Sequence, residues 1–133
     1  IAGHTLDLTK VTGDLFVLGG TTDHITPWRA CYRSTQLFGS KNVEFILSQA
    51  GHMQAILNPP GNPKAKYWKH SNGKTPADVI EWMKGTEEVA GSWWPYWMEW
   101  LHARSGAEVI APATEGSKKY PAMEPAPGLY VLE

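Results

Sequence analysis

Two side chains could carry out acid–base chemistry together. Asp23 stands in Gly19-Gly20-Thr21-Thr22-Asp23-His24, and His52 ends Ser48-Gln49-Ala50-Gly51-His52. Each follows a short apolar run, at residues 15–18 and 43–47, so each is expected just beyond the carboxyl end of a strand. In open sheets of parallel strands, the loops at those ends form the rim where ligands bind. An unaided histidine lacks a fixed tautomer and becomes cationic only at a cost. A buried carboxylate on one ring nitrogen removes both difficulties and leaves the other nitrogen as a general base. By spacing alone, Asp23-His24 also fits an ordinary turn.

The elements that would position this pair can be read along the chain. Residues 15–18 form an unbroken apolar run stopped by two glycines, as in a strand buried on both faces. Thr26 can cap a helix whose first residue is Pro27. Trp28, Cys31, Tyr32, Thr35 and Phe38 recur at helical spacing before Gly39 closes the segment. With the strand at 43–47 this makes a strand–helix–strand unit, whose parallel crossover is right-handed as a rule. Residues 58–63 hold three prolines and read as a rigid loop. Residues 64–74 are basic and polar, and are expected at the surface. Thr75-Pro76 opens a short helix through Met83, ended by Gly85. Ser92 caps a third helix from Trp93 to about Arg104. There Trp93, Trp94, Trp97, Met98, Trp100 and Leu101 share one arc, opposite Glu99 and His102. Such a stripe reads as core more than as a binding platform. Residues 111–133, with Pro112, Pro121, Pro125 and Pro127, read as an extended tail behind a unit spanning 1–110.

Composition narrows the function. A length of 133 residues suits one domain. Twelve Lys+Arg against 13 Asp+Glu give a net charge of −1, so no basic field invites nucleic acid or an anionic membrane. The one cysteine excludes an internal disulfide and a Cys-rich zinc site. Apolar runs fall far short of the ~20 residues of a membrane span. A soluble protein of a reducing compartment is the expectation. The first residue is Ile and no signal pattern precedes it, so a piece of something longer is expected.

The residues from Gly19 to Trp28, with Asp23 among them, resemble the aspartate motif of poly(3-hydroxyalkanoate) synthases. So do Ser48 to His52 running into Ile56-Leu57-Asn58-Pro59-Pro60-Gly61, and Gly91-Ser92-Trp93-Trp94-Pro95 with Trp97. The ending Glu124-Pro125-Ala126-Pro127-Gly128 with Tyr130-Val131 is similar to that family's. These matches fall in order across nearly the whole chain. The resemblance implies an α/β fold, the C-terminal part of an α/β-hydrolase domain with an incomplete sheet. It implies an acyltransferase that polymerises (R)-3-hydroxyacyl-CoA into polyester with release of CoA, through a Cys-Asp-His triad and without a cofactor. Asp23 and His52 match the family's Asp and His.

The nucleophile has no match. Cys31 lies in Arg29-Ala30-Cys31-Tyr32-Arg33 without flanking glycines and reads as a small core residue. The elbow cysteine is therefore expected upstream, and this chain alone is expected to be inactive. Which of His52 and Asp23 activates the incoming hydroxyl stays open. Implied partners are the acyl-CoA substrate, the growing polyester, the upstream part of the synthase and a second copy. The implied place is the cytoplasm, at the surface of polyester granules. Missing neighbour strands would leave an apolar face or sheet edge exposed.

Other readings stand beside these. His24 could support the pair from behind, or be a loop histidine bonded to backbone. His4, His70 and His102 are scattered and expected at the surface. Asp23, His24 and His52 suit a metal by ligand type, but the resemblance accounts for the same residues. Lys64, Lys66 and Lys69 read as a solvated stretch, with CoA phosphates as a weaker reading. Another α/β-hydrolase, an esterase or thioesterase, is the alternative enzyme. A non-catalytic, aromatic-faced interaction module is the alternative outside enzymes.

Overall fold

A computed structural model describes residues 2–133 apart from His4, so the expectation for His4 lies outside the described residues. The apolar run forms β1 (Leu15–Gly20), and its side chains alternate between two faces as strand geometry requires. Val17 joins Tyr32, Phe45, Leu47 and Trp82 on one face. Phe16 and Leu18 join Ile46, Tyr67 and Trp93 on the other. Helix α1 (Trp28–Ser34) leads to β2 (Val43–Ser48), which pairs parallel to β1 from Leu15–Val43 to Gly20–Ser48. The strand–helix–strand unit is present as expected.

The limits of α1 differ. The carbonyl of Pro27 accepts from the N–H groups of Ala30 and Cys31, so Pro27 is the cap. Thr26 lies outside the helix because its side chain is engaged elsewhere. Regular helix stops at Ser34, four residues short of Phe38. The chain continues to Leu37 through tighter turns, with Gln36 N–H to Arg33 at 3.1 Å and Leu37 N–H to Ser34 at 3.1 Å.

After α2 (His52–Ile56) the sheet continues, which the sequence reading missed. The basic stretch at 64–74 contains β3 (Lys66–His70), antiparallel to β2 and to β4 (Thr86–Ala90). Its tyrosine, Tyr67, is buried. The lysines that made the stretch look like solvated surface are paired across the sheet: Lys66 with Glu88 at 3.0 Å, and Lys69 with Glu87. β4 offers only Val89 to the core, so it carries no apolar alternation to read. The strand order is β1-β2-β3-β4, a mixed sheet whose parallel part is one pair at the edge. His70 is half-buried rather than free on the surface, and its ring fills the space beside Gly85 that a Cβ there would occupy.

Helix α3 (Val79–Lys84) begins at Asp78, whose carboxylate accepts from Ile80 N–H at 2.8 Å. Thr75-Pro76 precedes the helix. There the Pro76 carbonyl accepts from the Tyr32 hydroxyl, which ties α1 to this loop. With α1, α3 covers one face of the sheet, and α4 (Trp94–Ser105) covers the other.

The cap position of α4 is Trp93 rather than Ser92 and the helix starts one residue later than expected, but Ser92 Oγ still serves its first turn by accepting from Trp94 N–H at 3.0 Å. The stripe turned to the sheet is rotated from the expected arc. Phe16 lies 6.1 Å from Trp93, 6.2 Å from Tyr96 and 5.6 Å from Trp100, while Met98 is 42% exposed. Tyr96 replaces Met98 because the sheet presents rings, Phe16 and Tyr67, and rings gain from meeting other rings. Residues 111–133 run exposed, with one bridge between Gly116 and Pro121 and a short 3-10 turn at Leu129–Leu132. No helix among the described residues is long and apolar enough to cross a membrane. The architecture is mixed α/β with an incomplete four-stranded sheet.

Trp82 is fully buried between Tyr32 and Phe45, with ring centroids at 5.4 and 5.0 Å, yet its N–H has no partner among the described residues. Trp82→Ala is expected to destabilise the chain by about 3–5 kcal/mol in urea unfolding. Trp82→Phe, which keeps one ring and removes the donor, should cost clearly less than Trp82→Ala. Equal losses in the two variants would show that the indole N–H is satisfied.

Candidate active site

The parallel register sets Gly20 of β1 opposite Ser48 of β2, so the loops that follow the two strands leave side by side. They are laced together by hydrogen bonds. Thr21 N–H donates to Ser48 O at 2.9 Å, Ala50 N–H to Thr21 Oγ1 at 3.1 Å, and Thr22 N–H to Ala50 O at 3.2 Å. Ala50 has φ 126°, a region that costs a non-glycine residue of order 1–3 kcal/mol and persists only where neighbours hold it. A Cβ on Gly20 would meet Ala50 O at 2.8 Å and Ala55 Cβ at 2.9 Å. Glycine at that position is what lets α2 approach β1.

Asp23 and His52 meet at this junction. Asp23 Oδ2 accepts from His52 Nδ1 at 2.8 Å and from Thr26 Oγ1 at 2.7 Å. Asp23 Oδ1 accepts from the N–H groups of Ile25 and Thr26, each at 2.9 Å. The Asp23 side chain is 7% exposed and that of His52 is 36% exposed. Burial works to raise the Asp23 carboxyl. The Thr26 N–H, the Thr26 hydroxyl, His52 and the Ile25 N–H together outweigh it and hold the group well below the usual carboxylate range. An ionised carboxylate can only accept, so Nδ1 carries the hydrogen of the pair. In that tautomer Nε2 carries the lone pair, on the more exposed side chain of the two. That is the arrangement of a general base with its tautomer fixed.

Thr26, expected as a helix cap, is instead a partner of the Asp23 carboxylate. The signal was present: an Asp whose side chain bonds the N–H two and three residues on is a common loop device ahead of a helix. His24 is exposed, and among the described residues no hydrogen bond joins it to Asp23 or His52. His102 is exposed on α4. Cys31 packs against the Tyr32–Trp82 cluster, and its Sγ lies 3.6 Å from Thr26 O. No group of three or more His, Cys, Asp or Glu is gathered to hold a metal among the described residues. Ile25, Met53, Ile56 and Leu57, next to the pair in sequence, are all exposed.

A partial α/β fold thus carries an oriented carboxylate–histidine pair beyond the carboxyl ends of two adjacent parallel strands. No family model matches the chain. Along its whole length the chain is homologous to poly(3-hydroxyalkanoate) polymerases, matching their C-terminal portion. It is 47% identical over 133 residues to Poly(3-hydroxyalkanoate) polymerase 1 of Ectopseudomonas oleovorans, covering 100% of this chain and 23% of the relative. Identity to polymerase 2 of that organism is 48% over 133 residues, covering 99% of the chain and 23% of the relative. Identity to the polymerase subunit PhaC of Cupriavidus necator is 40% over 131 residues, with 98% and 22% covered. The chain therefore spans under a quarter of the length of these curated relatives.

The depressed Asp23 carboxyl has a defined consequence for stability. Its folded value lies below the ~3.9 of an unfolded Asp, so its contribution is fully present above about pH 4 and is lost as pH falls further. Asp23→Asn should be less stable than the parent chain at pH 7, and the gap should narrow below about pH 4. Urea unfolding at stepped pH checks this, and a pH-independent gap would contradict an ionised Asp23. Nitrogen NMR of the His52 ring should report Nδ1–H in the parent chain and a changed tautomer balance in the variant.

Proposed function

We propose that this chain supplies the acid–base half of the catalytic site of a poly(3-hydroxyalkanoate) polymerase, an acyltransferase of the α/β-hydrolase type. The 2.8 Å bond between Asp23 and His52 carries the reading, because it aims a fixed-tautomer imidazole outward from the sheet's carboxyl edge. The whole-length similarity to polymerases supports it. The nucleophile is a cysteine from polymerase sequence outside these residues. Cys31 is committed to packing against the core.

The substrate is an (R)-3-hydroxyacyl-CoA. His52 Nε2 takes the proton of the cysteine thiol, and the thiolate attacks the thioester carbonyl. The carbon–sulfur bond to CoA breaks, and the CoA sulfur leaves with the proton from the imidazolium. The acyl group is now a thioester of the enzyme. The hydroxyl of another hydroxyacyl unit then attacks it, a base removes the hydroxyl proton, an ester forms, and the cysteine sulfur is released.

The geometry favours His52 as that second base. Both oxygens of Asp23 already accept two hydrogen bonds each, and the group is almost closed to solvent. Asp23 then serves by orienting the ring and stabilising the imidazolium. The exposed Ile25, Met53, Ile56 and Leu57 suit an apolar acyl chain or polyester. Lys66 and Lys69 are engaged by Glu88 and Glu87, which leaves Lys64 alone of that group for a CoA phosphate. The working place is the surface of a polyester granule in the cytoplasm, with a second copy as partner.

In a polymerase carrying this sequence, His52→Ala is expected to lower kcat by at least about a thousandfold, since one base serves both half-reactions. Cys31→Ser should keep most activity. CoA release from 3-hydroxybutyryl-CoA measures both. A polymerase that tolerates His52→Ala, or that fails with Cys31→Ser while still folded, would overturn the assignment.

A further inference from the structure

Helix α2 carries His52 as its first residue and is only five residues long. A helix that short does not hold itself in water, and its last carbonyls have no partners within it. Something outside must fix its orientation, because the His52 ring has to stay within hydrogen-bond reach of Asp23. On the side facing the sheet, the Ala55 methyl packs against Gly20, and at the first residue His52 bonds Asp23. At the far end, three consecutive residues ahead of and within α4 donate to the backbone of α2 and its exit. Trp93 Nε1 donates to Ala55 O at 2.8 Å, and Trp94 Nε1 donates to Ile56 O at 3.0 Å. The Asn58 carbonyl accepts from the Ser92 hydroxyl. Ser92 Oγ also accepts from Trp94 N–H at 3.0 Å, so its rotor is set and its hydrogen is directed to Asn58.

We propose that Ser92, Trp93 and Trp94 are positioning residues for His52, acting through the backbone of α2. The proposal rests on His52 being the base of the polymerisation. Core packing alone does not explain these indoles. Trp82, the most buried tryptophan, sits in the core with its N–H unpaired among the described residues, so packing in this protein does not demand a partnered donor. Trp94 is only partly buried, yet its N–H is spent on a helix-end carbonyl. The donors are themselves rigid. The Trp93 ring is 6.1 Å from Phe16 and 5.8 Å from Trp97, and Trp94 meets Trp93 edge-on at 6.4 Å. The clamp thus transmits the stiffness of α4 and the sheet to a helix that has none of its own. Loss of a donor lets α2 tilt about Gly20, and the ring at its first residue swings with it.

The test pairs Trp94→Phe, which keeps a ring but no N–H, with Ser92→Ala and Ser92→Thr. On the 133-residue chain, NMR reads the exchange with water of the His52 Nδ1 proton. In a polymerase carrying the sequence, kcat and KM are read separately. Trp94→Phe and Ser92→Ala are each expected to speed proton exchange about tenfold and to lower kcat about tenfold, the worth of one hydrogen bond. KM should change less than twofold and the melting temperature should fall by only a few degrees, and Ser92→Thr, which keeps the hydroxyl, should restore both readings. Unchanged exchange and kcat in both deletions would overturn the proposal. So would a Ser92→Thr as impaired as Ser92→Ala, or losses that follow the melting temperature alone. If His52→Ala left the polymerase active, the catalytic reading would fall, while proton exchange would still decide whether the clamp holds the ring.

Discussion

A carboxylate withdrawn almost entirely from water has to be met by donors, and Asp23 is met by four. An unmet buried charge costs far more than any single loop can supply, so the local backbone is arranged around this one group. The Asp23-to-Thr26 turn folds back to present two N–H groups and a hydroxyl. That is why α1 starts at Trp28 with Pro27 as its cap, rather than at Pro27 with Thr26 as its cap. The fourth donor comes from the far loop, and it can come only because β1 and β2 are parallel and in a register that ends them level. Glycine at position 20 and the uncommon backbone of Ala50 are both consequences of closing that gap.

The two faces of the sheet are handled differently. One face takes Tyr32, Phe45 and Trp82 in edge-on and tilted contacts under α1 and α3. The other takes Phe16, Trp93, Tyr96 and Trp100 under α4. The second face also reaches sideways, because its helix begins where α2 ends. Covering the sheet and steadying the histidine-bearing helix are therefore done by one stretch of chain, residues 92–97. Its density of tryptophan follows from both demands, since an indole supplies apolar area and a donor together.

The parallel unit and the location of the acid–histidine pair were legible because they rest on local signals: an unbroken apolar run, paired glycines, a proline near a helix start. What could not be read was non-local. β3 hid behind lysines whose charges are answered by Glu87 and Glu88 some twenty residues on, and a single chain pass sees the lysines without the answer. β4 is an edge strand with one core side chain, so its alternation is nearly silent. The tryptophan stripe was found, but its rotation depended on where Phe16 and Tyr67 would stand across the interface. Thr26 was assigned to the nearer of two jobs, capping, when the acid three residues before it had the stronger claim.

The anchoring of α2 divides the site into a fixed part and a free part. Every bond that secures this helix at its far end goes to a main-chain carbonyl, and main-chain carbonyls are the same whatever side chain is attached. Met53, Ile56 and Leu57 meanwhile project outward without bearing any of that load. Their size and shape can drift through evolution, or be rewritten by an engineer, while the imidazole beside them keeps its aim. The molecule thereby separates the part that must not change from the part that can adapt to whatever it is asked to hold.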